Sequence, residues 1–295
     1  MRRTPAAAVL AAACGLTACS SAASDDTPEV LATFTILADM AQQVAGDTLE
    51  VASLTRPGAE IHGYDPTPGD IRTAAGAEVI LNNGLGLENW VDKLTADSDA
   101  TRVTVTEGID PLPIAGTDEP NPHAWMCPTL ATAYVDNIAD ALSDHRPADA
   151  DTFRANAASY KEQLDEVRGD LVDGLAHLPE NQRVLQTCEG AFSYLTADAG
   201  LTESYIWPVN SSAQITPAQV RDAADGVRDN DVPAVFCEST VDPGPKEQLI
   251  RETGAQDGGT LYVDSLTDAD GDAPTYLDLI RHDVDTIVAG LGGER

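Results

Sequence analysis

Short apolar runs alternate with amphipathic stretches along the first half of the chain. The runs are four to six residues long, which is typical of buried strands, and the stretches between them have the period of helices. The pattern predicts strands at residues 30–35, 49–54, 79–82 and 102–106. It predicts helices at residues 36–45, after a Thr67-Pro68 cap, and at residues 130–142.

The most regular apolar pattern lies in the middle of the chain. Its residues recur at every third or fourth position, which places them on one face of a long helix. They are Phe153, Ala157, Tyr160, Leu164, Val167, Leu171, Leu175 and Leu178. A helix from about residue 149 to 178 would be ~45 Å long, enough to span a small domain rather than lie inside one. Pro179 ends the pattern.

After this helix the alternation begins again. It predicts strands at residues 183–187, 234–237 and 260–263 and an extended segment at residues 203–209. It predicts helices at residues 191–199, at residues 217–227 after a Thr216-Pro217 cap, and at residues 245–253 and 276–291. Alternation of this kind indicates parallel, doubly wound sheets. We therefore predict an α/β protein with two doubly wound lobes, residues 30–146 and 181–295, joined by one long rigid helix within residues 147–180. Each lobe is expected to have its own core.

The N-terminal residues have the pattern of an export signal followed by a lipid anchor. Two arginines precede an apolar stretch at residues 6–13, which is too short to span a bilayer. Leu-Thr-Ala-Cys at residues 16–19 then reads as a lipobox, in which Cys19 would carry a diacylglycerol. We predict a signal peptide at residues 1–18, and the lipidated cysteine with a flexible tether at residues 19–29. The mature protein would be exported and anchored to the outer face of the cytoplasmic membrane.

Composition limits the possible partners. The chain has 295 residues, 42% of them hydrophobic, which is enough for a packed core and argues against wholesale disorder. Its formal net charge of −32 argues against nucleic acid or an anionic membrane surface as a partner. Because the charge is spread along the whole chain, we interpret it mainly as a solvated surface. A field that attracts cations is the alternative.

Cysteine usage agrees with export. Cys14 lies in the predicted signal peptide and Cys19 in the lipobox. Cys127, Cys188 and Cys237 remain. Three cysteines can form at most one pair among them, and the count does not tell which.

Four potential metal ligands lie far apart in the chain, each after a strand-like run. They are His62, His123, Glu189 and Asp264. Open α/β sheets bind ligands at the carboxyl ends of their strands, so two such lobes would bring these residues to one cleft. The mixed nitrogen and oxygen donors suit Mn²⁺, Fe²⁺ or Zn²⁺. Taken singly, each residue also has an ordinary explanation, because loop histidines are usually surface residues and acidic residues after strands commonly cap helices.

The segments around these four residues resemble the ligand segments of a known family. In chain order they are Gly58-Ala59-Glu60-Ile61-His62-Gly63-Tyr64-Asp65-Pro66, Asn121-Pro122-His123-Ala124-Trp125, Glu189-Gly190-Ala191-Phe192-Ser193-Tyr194 and Leu261-Tyr262-Val263-Asp264-Ser265-Leu266. They resemble those of the metal-binding lipoproteins that serve ABC importers, the TroA-like or cluster A-I family of solute-binding proteins. The likeness runs from about residue 30 to 291 and includes the long helix.

The resemblance implies a metal cleft between two α/β lobes, with all four residues as direct ligands. It also implies delivery of the metal to a membrane permease driven by a cytoplasmic ATPase. Zinc-specific members generally have a third histidine at the position of Glu189, and often a His-rich loop before the second ligand. The carboxylate here favours Mn²⁺ first and Fe²⁺ second, although the general affinity order leaves Zn²⁺ open. We expect a monomer.

The remaining cysteines bear on this expectation. Cys127 lies four residues after His123, and recruiting its thiolate would shift the metal preference towards zinc. Some relatives have a disulfide that corresponds to Cys188–Cys237, and the ends of neighbouring strands can come within disulfide distance. We therefore expect this bond, which would brace the loop that presents Glu189.

Two acidic residues are candidates for orienting the histidine rings. Asp65 follows the first predicted ligand and Glu238 follows a predicted strand. Carboxylates that accept from the second ring nitrogen commonly fix a ligating imidazole in place.

Functions of two other classes are possible for such a chain. Metal-dependent hydrolases also use histidines and carboxylates, but they keep an open coordination position and a base for bound water. We find no HExxH motif and no nucleophile elbow in the sequence. Adhesion is compatible with surface exposure, although no motif supports it separately. We therefore predict a binding protein rather than an enzyme.

Overall fold

A computed structural model describes residues 28–96, 98–209 and 215–292 of the chain. The predicted signal peptide, the lipobox with Cys19 and most of the tether lie outside the described residues. Among those that are described, no helix is long and apolar enough to cross a membrane.

The first sheet has four parallel strands in the order β2-β1-β3-β4. The strands are β1 (Val30–Ala32), β2 (Val51–Ser53), β3 (Val79–Asn82) and β4 (Thr101–Thr104). The helices of this half are α1 (Thr35–Ala45), α2 (Pro68–Gly76), α3 (Val91–Leu94) and α4 (Pro128–His145). Helix α2 begins as predicted, because Thr67 and Asp70 form a capping box around Pro68.

Helix α5 (Ala150–Leu175) is the predicted long helix. All seven predicted apolar positions from Phe153 to Leu175 are buried. The helix is three residues shorter than expected at its C-terminal end, although Leu178 is still buried beyond it. It packs against α1 and α4 of the first half and against the C-terminal helix α9 (Tyr276–Gly292) of the second half.

The second sheet repeats the topology of the first, with parallel strands in the order β6-β5-β7-β8. The strands are β5 (Val184–Glu189), β6 (Thr202–Trp207), β7 (Ala234–Glu238) and β8 (Gln256–Leu261). The helices are α6 (Ser193–Ala199), α7 (Pro217–Asp229), α8 (Gly244–Thr253) and α9 (Tyr276–Gly292). The predicted architecture of two doubly wound sheets and one long helix is therefore confirmed. The lobe boundaries, residues 30–146 and 181–295, stay predictions.

One strand differs from the prediction. Strand β8 begins at Gln256 and ends at Leu261, whereas the sequence predicts a strand at residues 260–263. The first part of this strand contains two glycines, which are unfavourable in strands, so the sequence pattern does not predict a strand there. Gly258 is needed there because a Cβ atom would lie 2.4 Å from Cε1 of Phe236 on β7.

The largest apolar cluster is continuous across the long helix. It contains Phe34 and Phe153 together with Phe192 and Phe236, all of which are almost completely buried. Smaller clusters cover the outer faces of the two sheets. The prediction that each lobe has its own core is therefore incomplete, because the largest cluster is shared by both halves. The physical reason is that α5 buries one apolar face against elements of both halves.

Candidate metal centre

Three of the four predicted ligands converge at the facing carboxyl ends of the two sheets. The Nε2 atoms of His62 and His123 lie 3.2 Å apart. The Oδ1 atom of Asp264 lies 3.6 Å from the first and 3.5 Å from the second. Ligand atoms about 2.1 Å from one ion at tetrahedral angles lie roughly 3.4 Å from one another. The three atoms therefore have the separations of a cation site.

These donor atoms are shielded from solvent, and the oxygen among them lacks a hydrogen-bond partner in the described part of the chain. His123 and Asp264 are almost completely buried, and the side chain of His62 is 12% exposed. The Oδ1 atom of Asp264 is buried and has no hydrogen-bond partner among the described residues. A buried acceptor without a partner is costly, and a shared cation would satisfy it together with both imidazoles. Of the three residues, His62 is the nearest to solvent.

The electrostatics of the site also favour a cation. Burial alone would lower the pKa of His62, but contact with Asp264 and the charges of Asp264, Glu189 and Glu60 raise it to about 9. Burial lowers the pKa of His123. Burial would raise the pKa of Asp264, yet its contacts with both histidines outweigh this and lower it. In the ion-free site a proton on His62 thus takes the place of a metal charge.

The His62 loop is shaped by local hydrogen bonds. The carboxylate of Glu60 accepts from the backbone N–H of His62 at 2.7 Å and from that of Gly63 at 3.0 Å. Gly58 begins the loop with a φ of 75°, a conformation that favours glycine. Its N–H donates to Oγ of Ser265 at 2.8 Å, so the loop is tied to the residue after Asp264.

Asn121 orients His123, and the sequence did not assign it a role. Its Oδ1 atom accepts from the backbone N–H of His123 at 3.1 Å and lies 2.9 Å from Nδ1 of the ring. Because an amide oxygen only accepts, Nδ1 carries the proton and Nε2 is left to bind a metal. The available signal was the amide two residues before the histidine. The ring of Trp125 packs against that of His123 with a centroid distance of 5.0 Å. Its Nε1 donates to the carbonyl oxygen of Val263 at 2.9 Å.

Glu189 is the last residue of β5 and is 4% exposed. Its charge helps to raise the pKa of His62. Its backbone N–H donates to both carboxylate oxygens of Glu238 at 3.2 Å. Burial, followed by the charge of Glu189, raises the pKa of Glu238 well above its usual value. Direct coordination by Glu189 stays a prediction.

Neither residue expected to orient a ring does so. The carboxylate of Asp65 is 86% exposed and pairs with Nζ of Lys93 at 2.8 Å. His62 Nδ1 has no hydrogen-bond partner among the residues described. The expectation for Asp65 is wrong, because its side chain turns to the surface cation instead. Glu238 holds the backbone of Glu189 rather than an imidazole.

The cysteines divide as expected. Cys188 and Cys237 form a disulfide with a Cα–Cα distance of 4.9 Å, linking the ends of β5 and β7. Glu189 and Glu238 follow these two cysteines directly, so the bond braces both carboxylates. Cys127 is free and buried before α4, and burial raises the pKa of its thiol. It is absent from the described donor cluster of His62, His123 and Asp264.

Comparison with known proteins identifies the family. Residues 30–290 match the model of a family described as zinc-uptake complex component A, periplasmic. The chain belongs to this family. It is 48% identical over 268 residues to the iron-binding protein YfeA of Yersinia pestis, covering 90% of this chain and 86% of that protein. It is 34% identical over 285 residues to the manganese-binding lipoprotein MntA of Halalkalibacterium halodurans, covering 96% and 95%.

Solved structures agree with the fold. The Mn-bound periplasmic metal binding protein of Candidatus Liberibacter asiaticus has a TM-score of 0.84 and 38% sequence identity, and the match covers 89% of this chain and 98% of that one. The predicted resemblance to metal-binding solute-binding proteins is therefore confirmed. The family description mentions zinc, and the two relatives are named for iron and manganese, so family membership alone does not select the metal.

Proposed function

We propose that this protein captures a divalent transition metal ion between its two lobes and delivers it to an ABC permease driven by a cytoplasmic ATPase. The observation that carries the proposal is the convergence of two imidazole nitrogens on Oδ1 of Asp264, which has no hydrogen-bond partner within the part of the chain that the structure describes. Reversible binding of a metal ion requires a buried set of donor atoms of this kind, and it requires no catalytic base. Relatives named as binding proteins for iron and manganese support the same interpretation.

Glu189 completes the proposed ligand set. It stands at the end of β5, is buried, and acts on His62 through its charge. Two imidazoles and two carboxylates form a harder donor set than three imidazoles and one carboxylate, so we propose Mn²⁺ as the main cargo and Fe²⁺ as the second. Zinc is the alternative, because Zn²⁺ ranks above Mn²⁺ in the general affinity order.

We further propose that the mature protein is a monomer held to the outer face of the cytoplasmic membrane through lipid on Cys19. The lipobox and its polar tether support this, and the relative MntA is named a lipoprotein. A short lipid-bearing tether would keep the metal cleft near the permease.

Competitive titration of the purified protein with Mn²⁺, Fe²⁺ and Zn²⁺ tests the proposal. We expect one high-affinity site per chain in the wild type and none in His62→Ala. His282→Ala is the matched control, because Nε2 of His282 donates to the carbonyl oxygen of Thr260, away from the donor cluster. Unchanged affinity in His62→Ala would contradict the proposal.

A further inference from the structure

Asn121 makes four polar contacts that join the metal ligands of opposite lobes. Its Oδ1 atom faces the backbone N–H and the ring of His123. Its Nδ2 atom donates to the carbonyl oxygen of Gly190 at 2.8 Å and to Oγ of Ser193 at 3.1 Å. Gly190 directly follows Glu189. A single side chain, 1% exposed, therefore links the second predicted ligand to the segment that carries the third.

The orientation of this amide is fixed by its partners. The carbonyl oxygen of Gly190 can only accept, so the atom that faces it must be the NH₂ group. Ser193 donates its own hydroxyl proton to Glu203 at 2.6 Å, which leaves its oxygen to accept from Asn121. The backbone of Asn121 is held as well, since its carbonyl oxygen accepts from the hydroxyl of Tyr194 at 2.6 Å.

A carboxylate in place of the Asn121 amide would satisfy only the contacts with His123. An aspartate would still accept from His123, and its charge would make the ring a stronger ligand. Its other oxygen, however, would lie about where Nδ2 is now, facing the carbonyl oxygen of Gly190 with no proton between them. Two buried acceptors in contact repel and remain unsatisfied.

We propose that Asn121 is a positioning residue that couples the orientation of His123 to the placement of the Glu189 segment, and that this coupling requires an amide. The inference rests on the proposed function. The simpler alternative is that Asn121 only orients the histidine ring. The two interpretations predict different results for Asn121→Asp. If the residue only orients the ring, a carboxylate would do so as well as the amide or better.

The test compares Mn²⁺ dissociation constants of purified full-length variants, with Asn137→Asp as the matched control. Nδ2 of Asn137 also donates to two backbone carbonyls, those of Val105 and Glu107, but outside the metal site. We expect Asn121→Asp to raise the dissociation constant about 10- to 100-fold, the usual effect of losing a residue that supports a metal ligand. The control should stay within twofold of the wild type.

Two further measurements separate positioning from general destabilisation. The visible absorption spectrum of the Co²⁺-loaded protein should change in Asn121→Asp, because the ligands no longer meet in the same geometry. If Asn121→Asp does not fold, Asn121→Ala, which adds no charge, should show the same loss of affinity and the same spectral change.

The outcomes are distinct. Wild-type Mn²⁺ affinity in Asn121→Asp, or in Asn121→Ala where the former does not fold, overturns the inference and leaves the proposed function intact. An unchanged Co²⁺ spectrum with a lowered melting temperature also overturns it, since the role would then be structural. A wild-type protein that binds no Mn²⁺ would instead refute the proposed function.

Discussion

Acidification should weaken metal binding, and the structure gives the size of the effect. The pKa of His62 is about 9 in the ion-free protein, so at pH 7 roughly one site in a hundred has this imidazole free to bind. A metal ion must therefore displace one proton at neutral pH. The pKa of His123 is lowered and that of Asp264 is lowered too, so neither adds a second proton.

The expected magnitude follows from this single proton. Each pH unit below 9 raises the ratio of protonated to neutral His62 imidazole about tenfold, which corresponds to about 1.4 kcal/mol of apparent binding free energy. Between pH 7 and 9 the apparent affinity should rise by about 50-fold, or about 2.3 kcal/mol, and it should level off about 100-fold above its pH 7 value once the imidazole is fully deprotonated. The sign follows from the raised pKa, because protonation competes with the metal below 9 and no longer competes above it.

Two assays measure the effect. Chelator competition under anaerobic conditions at pH 6.5, 7.5 and 8.5 gives the slope of affinity against pH. Calorimetry at pH 7 in buffers with different ionisation enthalpies gives the number of protons released, which should be close to one. An affinity that stays within twofold between pH 7 and 8, together with no proton release, would show that His62 is not protonated in the ion-free site.

Three other predictions concern single features of the structure. Asp264→Ala should abolish tight metal binding in titrations while leaving the circular dichroism spectrum that of a folded protein, because the proposed ligand atom Oδ1 has no hydrogen bond to any described residue; wild-type affinity would contradict its role. Glu189→His should raise the Zn²⁺ to Mn²⁺ affinity ratio by replacing a hard donor with imidazole, and an unchanged ratio in competitive titration would mean that this residue does not set selectivity. Replacing both Cys188 and Cys237 with serine should lower the free energy of unfolding by about 2–4 kcal/mol, which urea denaturation would measure, and a change below about 0.5 kcal/mol would show that the bond does not stabilise the fold.

Regular elements with strong local signals could be predicted from the sequence. The apolar run of β3 has the predicted bounds, Val79–Asn82. The caps at Thr67 and Thr216 start α2 and α7 where the Thr-Pro pairs predict. In both cases a single local rule, burial or capping, is sufficient to determine the structure.

Elements whose form depends on a distant partner were missed or misplaced. Strand β8 contains Gly258, which is unfavourable in a strand by itself but is needed next to the ring of Phe236. The four-residue helix α3 has no periodicity to detect. The continuous core could not be predicted either, because the apolar face of α5 does not reveal which elements cover it.

For the candidate site, the sequence predicted the converging donors better than the residues that support them. His62, His123 and Asp264 converge as their positions after strands suggested. Asp65 stands three residues after His62, yet its side chain pairs with Lys93, since neighbours in sequence need not point the same way. Asn121 was overlooked because its role depends on Gly190, which lies in the other sheet's half of the chain.

The central claim is that four residues from two lobes hold one metal ion. A crystal structure of the Mn²⁺-loaded protein, with anomalous diffraction data at the manganese edge, tests it most directly. We expect one strong anomalous peak between Nε2 of His62, Nε2 of His123 and the carboxylates of Glu189 and Asp264. A peak elsewhere, or a peak at this place without Glu189 among the ligands, would contradict the account.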